Sequence, residues 1–176
     1  MQVFTLYKTS TFVGEPTRWV RFKKLVKNDY MFMGTSYYDG IIFVPKVNIT
    51  FFGFGLFASY RGHNQTFHIR WKIDDEYSDK YEMSFQHSER DPENNWHEVD
   101  IRNLGVAPIF IPSGTKVNVL AYPFEDDMRR TYYGDYGRRE HREQIPEQEN
   151  LFDIVNSPER YDSSEGYGQF PYILYS

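Results

Sequence analysis

The five histidines of this chain are its candidates for metal binding and for acid–base chemistry. They are His63, His68, His87, His97 and His141. A metal site needs three or four converging ligands, and no two of these histidines have the i,i+4 spacing that brings ligands together on one helix face. His141 lies between Glu140 and Glu143, in a segment whose many charges are typical of a solvated surface. The sequence therefore predicts no metal site and no cofactor.

Carboxylates are the second source of chemistry, and they occur in three short runs. The runs are Asp74–Glu76, Glu125–Asp127 and Asp162–Glu165. A glycoside hydrolase needs two carboxylates facing each other across a cleft, whereas these runs lie in predicted turns. The chain has no cysteine, which excludes disulfides, thiolate metal sites and cysteine nucleophiles. We expect no enzyme; a calcium site at Glu125–Asp127 and a hydrolase on a jelly roll stay open as alternatives.

Tyrosine and arginine side chains on predicted loops are the stronger functional signal. Aromatic and arginine residues on loops that a rigid sheet supports are typical of protein-contact surfaces. The alternative is that these tyrosines pack the loops onto the ends of the fold. The sequence predicts the following partner-binding residues: Tyr37, Tyr38, Asp39, Arg129, Arg130, Tyr132, Tyr133 and Tyr136.

The composition indicates one folded domain that binds other proteins. The 176 residues include 15 Tyr and 15 Phe, too many apolar rings for a disordered chain. A net charge of −5 disfavours nucleic acid, which needs a basic footprint. The longest apolar stretch, Phe51–Ala58, is too short to span a membrane. We expect an intracellular protein, cytoplasmic or cytoskeletal, with mitochondria as the alternative because residues 1–27 are basic and poor in acidic residues.

Alternating apolar residues predict many short antiparallel strands. Residues 67–74 alternate strictly, with Phe67, Ile69, Trp71 and Ile73 on one face and His68, Arg70, Lys72 and Asp74 on the other. Similar alternation occurs at 81–85, 99–101 and 117–121, a first strand is expected at Val3–Tyr7, and turns separate the segments. The best helix candidate, Arg138–Asn150, is charged all round and is interpreted as a surface loop or edge segment. This pattern predicts an all-β antiparallel sandwich, jelly-roll-like, with little helix.

An apolar hairpin at residues 39–60 has glycines inside its second strand. Val47, Ile49 and Phe51 are expected to start that strand. Gly53 and Gly55 then interrupt a phenylalanine-rich run, which predicts a bulge or a close backbone approach in a strand buried on both faces. Pro45 cannot donate a ladder hydrogen bond and is expected at an edge or turn.

Several motifs in this order resemble the PHR domain, the β-sandwich module of Pam and Highwire ubiquitin ligases and of BTB–PHR adaptors. They include Arg21-Phe22, Asp39 to Phe43, the Gly53 to Phe57 run, the Tyr133-Gly134 loop and the closing residues 168–175. The resemblance covers residues 21–176 and leaves residues 1–20 as a basic extension or an extra strand. The chain departs from the family pattern at Val44-Pro45-Lys46 and in having no cysteine.

The resemblance implies partner recognition without catalysis. We therefore expect a protein-interaction or structural assembly module, a small subunit of a larger ciliary, cytoskeletal or mitochondrial complex. Two alternatives remain: a sandwich that binds carbohydrate or another small ligand through aromatics such as Trp96, and a substrate-recognition adaptor in ubiquitination. No small-molecule substrate is identified.

Overall fold

The chain folds almost entirely into β-strands. The structure, a computed structural model, describes residues 14–32, 38–124, 130–137, 150–159, 163 and 168–176; at 23–32, 130 and 135–137 it describes the backbone alone. The strands are β1 (Thr17–Val20), β2 (Phe22–Phe32), β3 (Asp39–Pro45), β4 (Ile49–Phe57), β5 (Gln65–Ile73), β6 (Glu76–Tyr77), β7 (Tyr81–Phe85), β8 (Trp96–Asp100), β9 (Ile109–Ile111), β10 (Val117–Pro123), β11 (Arg130–Gly137), β12 (Phe152–Asn156) and β13 (Tyr172–Tyr175). Short 3₁₀ turns occupy His87–Glu89 and Ile101–Leu104.

Two antiparallel sheets form the sandwich, and this confirms the predicted fold class. The five-stranded sheet has the order β1-β13-β4-β8, and β9 pairs with β4 beside β8. The six-stranded sheet has the order β12-β3-β10-β5-β6, and β7 pairs with β5 beside β6. Strands β2 and β11 pair separately as a two-stranded ribbon. Within the described ranges, no helix is long and apolar enough to cross a membrane.

The inner core lies between the two sheets and is built by period-two alternation. Along β5, the apolar side chains point inward and the polar side chains outward, as the sequence predicts. The five-stranded sheet contributes residues such as Phe51, Phe54, Val99 and Ile173, and the six-stranded sheet contributes Phe43, Ile69, Trp71 and Val119. These side chains are at most 3% exposed, so the sandwich has a closed apolar interior.

A second apolar cluster, the outer core, covers the opposite face of the five-stranded sheet. Its buried members are Phe22, Phe52, Phe57, Trp96, Tyr172 and Leu174. The ribbon covers this face, because Phe22 comes from β2 and Tyr132 of β11 packs against the cluster. The backbone also joins ribbon and sheet: the Tyr132 N–H donates to the Ala58 carbonyl at 3.0 Å. One side of the sandwich therefore has a third layer.

A bulge in β4 shifts the alternation of its side chains, so that Phe54 faces the same core as Phe51. Leu174 of β13 pairs with Gly53, but Tyr175 pairs with Phe51, so Phe52 is an extra residue in β4. Gly53 has φ +146°, and a Cβ there would lie 1.8 Å from the Val99 carbonyl oxygen. A Cβ at Gly55 would lie 2.4 Å from the Tyr172 ring. The prediction that these glycines mark a bulge and close packing in a doubly buried strand is confirmed.

The structure corrects two details of the predicted elements and agrees with one option of a third, the extra strand within residues 1–20. Val47 is 46% exposed and lies before β4, which begins at Ile49. The Tyr133-Gly134 region is part of strand β11 and is not a loop. Residues 17–20 of the predicted extension form strand β1, which pairs with β13 and buries Trp19 in the inner core.

Other predicted elements agree with the structure or fall outside it. Pro45 is the last residue of β3. The pairing of β3 with β10 ends earlier, at Phe43, so Pro45 does not have to donate a backbone hydrogen bond to β10, as expected for proline. The predicted strand at Val3–Tyr7 and most of Arg138–Asn150 lie outside the described residues.

Candidate interaction surface

Asp39 holds together one end of the sandwich and does not face solvent. Its carboxylate is fully buried and accepts hydrogen bonds from the Gly40 N–H (2.9 Å), the Ser163 N–H (3.1 Å) and the Ser163 hydroxyl (2.7 Å). The Ser163 hydroxyl in turn accepts from the Gln169 N–H at 3.0 Å. The prediction placed Asp39 in an exposed contact loop; this burial removes it from any contact surface.

Arg21 adds a buried cation to the same region. Its side chain is fully buried, its guanidinium lies 4.3 Å from the Phe22 ring centroid, and its backbone N–H donates to the Pro171 carbonyl at 2.7 Å. Burial lowers the pKa of Arg21 to about 9, while the negative charge of Asp39 acts in the opposite direction. The guanidinium thus stays charged at neutral pH, and the contacts of Arg21 connect the residue after β1 to the segment that precedes β13.

The predicted tyrosines lie on different sides of the sandwich. Tyr132 is half-buried, packs on the outer core and has its ring 5.4 Å from that of Tyr60 in a T-shaped arrangement. Tyr133 is also half-buried, and in β11 it pairs with Val26 of β2. Tyr38, in contrast, lies before β3 and contacts Tyr122 on the six-stranded sheet. The structure therefore does not unite these residues in one patch.

The remaining predicted contact residues are described in part or not at all. Arg130 pairs with Phe32 at the start of β11, and Tyr136 lies within the same strand; only their backbone is described. Tyr37 and Arg129 lie outside the described residues.

A row of aromatic rings crosses the outer face of the six-stranded sheet. Tyr38 lies edge-on to Tyr122 at 4.8 Å, Tyr122 lies 4.7 Å from His68, and His68 lies 5.2 Å from Phe124. The register explains the order, because Tyr122 of β10 is directly opposite His68 of β5. Phe124 is 53% exposed. Solvent thus reaches an apolar stripe on a rigid sheet.

Three cations border this row and contact tyrosine rings. The Arg70 guanidinium lies 4.1 Å from the Tyr77 ring centroid and 5.9 Å from that of Tyr38. Lys72 lies 5.0 Å from the Tyr77 ring, and Lys80 lies 5.1 Å from the Tyr122 ring. We call this surface the aromatic–cationic face; it comprises Tyr38, His68, Arg70, Lys72, Tyr77, Lys80, Tyr122 and Phe124.

Glu159 fixes the chain that follows β12 against the edge of the face. One carboxylate oxygen accepts from Asn118 Nδ2 (2.7 Å) and from the Ser157 hydroxyl (3.0 Å), and the other accepts from the Tyr77 hydroxyl. Burial alone would raise the pKa of Glu159, but these hydrogen bonds outweigh it and hold the pKa below its usual range. The carboxylate is therefore ionised, fully engaged and structural.

The ionisation of the face at neutral pH follows from its packing. Burial and then the neighbouring Lys80 lower the pKa of His68, so its imidazole is neutral at pH 7. Burial also raises the pKa of the Tyr38 phenol, which stays protonated. The positive charge of the face is therefore carried by Arg70, Lys72 and Lys80.

The geometry bears on the alternative functions. Trp96, the aromatic expected in a sugar-binding groove, is 9% exposed and packs in the outer core, 5.0 Å from Tyr172. Asp74 and Asp75 lie in the turn between β5 and β6, while Glu125–Asp127 lies outside the described residues. In the part of the chain that the structure covers, no three His, Asp or Glu side chains are grouped to hold a metal ion.

Sequence reasoning assigned only Tyr38 to this face. Alternation placed His68, Arg70 and Lys72 on the polar side of β5, but such a side is usually only solvated. Tyr122 and Phe124 belong to another strand, and only the pairing of β10 with β5 brings them alongside. The sequence signal was a polar face that carried aromatic and cationic residues together.

No protein-family model matches this chain, and no curated protein matches it. The resemblance to the PHR domain therefore remains a prediction from its motifs.

Proposed function

We propose that this protein is a non-catalytic interaction module that binds another protein through its aromatic–cationic face and serves as a structural subunit of a larger intracellular assembly. The observation that carries the proposal is the exposed ring row with cations beside it, on the outside of a closed sandwich. Interfaces are enriched in aromatic residues and arginine, and Phe124 and Tyr77 are 53% and 46% exposed.

The sheet gives this surface the rigidity that an interface needs. Its backbone is held on both sides of β10 and β5, so the rings keep their positions before a partner binds. A preorganised surface loses less conformational entropy on association than a mobile one does. A cytoskeletal, ciliary or mitochondrial host assembly and an adaptor role in ubiquitination are both compatible with such a surface. The burial of Trp96 counts against the sugar-binding alternative.

The experiment compares two serine substitutions of exposed phenylalanines on different sheets. Phe124→Ser removes a ring from the face, whereas Phe110→Ser removes one that is 64% exposed on β9 of the other sheet. We expect the tagged full-length chain and its F110S variant to recover the same partner proteins from cells. The F124S variant should recover them at least about fivefold less, since a central aromatic anchor contributes about 1–2 kcal/mol or more.

Circular dichroism spectra and unfolding midpoints of both variants establish that they remain folded. Equal recovery by F124S and wild type, or recovery of the wild-type chain as a lone monomer at native abundance, would contradict the proposal.

A further inference from the structure

Arg70 carries a charge that no carboxylate of the described chain neutralises. Its Nη2 donates to the Ser78 carbonyl at 2.9 Å, and its guanidinium otherwise lies against the rings of Tyr38 and Tyr77. Its Nε–H is buried and has no acceptor in the described residues. A carbonyl oxygen and aromatic rings carry no net charge, so these contacts do not neutralise Arg70. They do fix the orientation of its guanidinium on the face.

Lys80 is a second such cation on the same face. Its Nζ donates to the Tyr122 hydroxyl at 2.5 Å, and among the described residues no carboxylate lies within ion-pair distance of it. The hydrogen bond from Lys80 to Tyr122 raises the pKa of the ammonium, whereas the nearby charge of Arg70 acts in the opposite direction. Arg70 and Lys80 thus lie against the adjacent rings of Tyr38 and Tyr122, and among the described residues neither has a carboxylate within ion-pair distance.

Two acidic side chains near the face, Asp75 and Glu159, have partners of their own. Asp75 pairs with Lys72 at 3.6 Å, and Glu159 accepts from three donors. Glu82 lies opposite His68 in the pairing of β7 with β5. Two like charges that have no counter-ion among the described residues favour an added anion, and the ring row beside them favours apolar neighbours of that anion.

We propose that the aromatic–cationic face binds an acidic peptide segment of its partner, with one carboxylate bound between Arg70 and Lys80 and apolar side chains on the Tyr122–Phe124 end of the row. This inference rests on the proposed function and specifies its partner chemistry. A carboxylate fits the fork of a guanidinium and the point charge of an ammonium.

The geometry favours a peptide over a single-stranded nucleic acid. Base stacking needs open ring faces, but Arg70 and Lys72 lie over the ring of Tyr77, and Lys80 lies over that of Tyr122. The chain as a whole carries a net charge of −5, which repels a phosphate backbone beyond the face itself. A short acidic peptide, in contrast, can place its negative charge beside Arg70 and Lys80 without extending over the negatively charged remainder of the protein.

The experiment is a nuclear magnetic resonance titration of the full-length chain with defined probes. The first probe is a ten-residue peptide of alternating glutamate and tyrosine, and the second replaces each glutamate by glutamine. A single-stranded oligouridylate of ten nucleotides is the third. Arg70→Gln and Lys80→Gln test the site, and Lys116→Gln removes an exposed lysine outside the face as a matched control.

We expect the glutamate peptide to shift the amide resonances of β5, β7 and β10 and to bind at least about tenfold more tightly than the glutamine peptide. R70Q and K80Q should each weaken this binding about fivefold or more, in line with charge-assisted pairs. K116Q should bind as the wild type does, and 0.5 M salt should weaken the wild-type complex.

Equal affinity for the glutamate and glutamine peptides, unchanged binding by R70Q and K80Q, or tighter binding of the oligouridylate would each overturn the inference. These outcomes differ from a failure of the proposed function. If F124S loses its cellular partners while R70Q and K80Q retain them, the face binds proteins but not through an acidic segment. If all three variants retain their partners, the proposed function itself is wrong.

Discussion

His97 shows how burial changes the chemistry of a single side chain. It is 2% exposed in β8, its ring stacks on Phe85 at 4.6 Å, and its Nε2 has no hydrogen-bond partner in the described chain. Burial, followed by the charges of His87 and Arg90, lowers its pKa to about 4 from 6.5. The imidazole is therefore neutral in the folded protein across the physiological range.

This predicts an acid-sensitive contribution to stability. In the unfolded chain His97 takes up a proton near pH 6.5, whereas the folded protein resists protonation until about pH 4. The folded state therefore loses stability as the pH falls through that window, by at most about 3 kcal/mol. His97→Phe keeps a stacked ring and removes the proton site, so its stability should fall less between pH 7 and pH 4.5. Urea unfolding at the two pH values measures the difference.

The exposed His63 provides the control for this experiment. His63→Gln should retain the wild-type pH dependence, because the substitution of an exposed side chain leaves the buried surroundings of His97 unchanged. A parallel loss of stability in the wild type and H97F would show that other groups cause the acid sensitivity.

At the scale of single residues, the sequence indicated which residue types could contact a partner, but not whether each side chain is exposed or buried. Asp39 and Tyr38 are neighbours in the printed sequence, and both were predicted to contact a partner. At the start of β3 their side chains separate: Tyr38, just before the strand, joins the outer ring row, and Asp39 meets Ser163 in the interior. The partner of Asp39 lies 124 positions away, and no local pattern indicates it.

At the scale of elements, the bulge in β4 depends on Gly53. Gly53→Ala would place a methyl group on the Val99 carbonyl, at a φ that L-residues rarely adopt. We expect a loss of more than about 3 kcal/mol, or a chain that does not refold. The fraction of soluble chain that refolds from urea, measured by circular dichroism, tests this.

Gly114→Ala is the control that separates the two effects of Gly53→Ala, the steric clash of the added methyl group and the strain of a positive φ. Gly114 also has positive φ, at +82°, but nothing lies within 4 Å of a Cβ built there. Its substitution should cost only about 1 kcal/mol, the usual penalty for the left-handed region. Equal destabilisation by G53A and G114A would mean that the close approach to β8 is unimportant.

The elements differed in how well the sequence predicted them. Strand β5 alternates strictly between apolar and polar residues, and its predicted faces are the observed ones. Strand β11 contains two glycines and tyrosines without alternation, features that usually mark a loop. It is a strand because β2 pairs with it and the outer core receives Tyr132, and both are tertiary effects.

At the scale of the whole molecule, β1 closes the inner core. Trp19 is 1% exposed, and its ring contacts Phe152 at 5.1 Å and Phe43 at 6.3 Å, both on the opposite sheet. Trp19→Ala should therefore lower the free energy of unfolding by about 3–5 kcal/mol. Urea unfolding followed by far-ultraviolet circular dichroism measures the change.

Val47→Ala is the control, since Val47 is 46% exposed outside the sheets. It should change stability by less than about 0.5 kcal/mol. A W19A variant as stable as V47A would show that residues 17–20 do not contribute to the stability of the folded domain.

The two-sheet architecture was predictable because alternation and turns are local sequence signals. The third layer, formed by the ribbon of β2 and β11 over the outer core, was not predictable from such signals. Nothing in the sequence distinguishes Phe51 from Phe52, yet the first faces the inner core and the second the outer core. Alternation separates these two neighbours, but the bulge places Phe54 on the face of Phe51, and only the pairing of β4 with both neighbouring strands reveals that shift.

The contribution of β4 to both apolar clusters affects how the protein unfolds. Strand β4 supplies Phe51 and Phe54 to one apolar cluster and Phe52 and Phe57 to the other, so unfolding of this strand removes side chains from both clusters at once. Two clusters on separate elements could melt one after the other as independent units. Here the backbone of β4 couples the inner core to the outer core, so we expect heat or denaturant to unfold the two cores in a single cooperative transition.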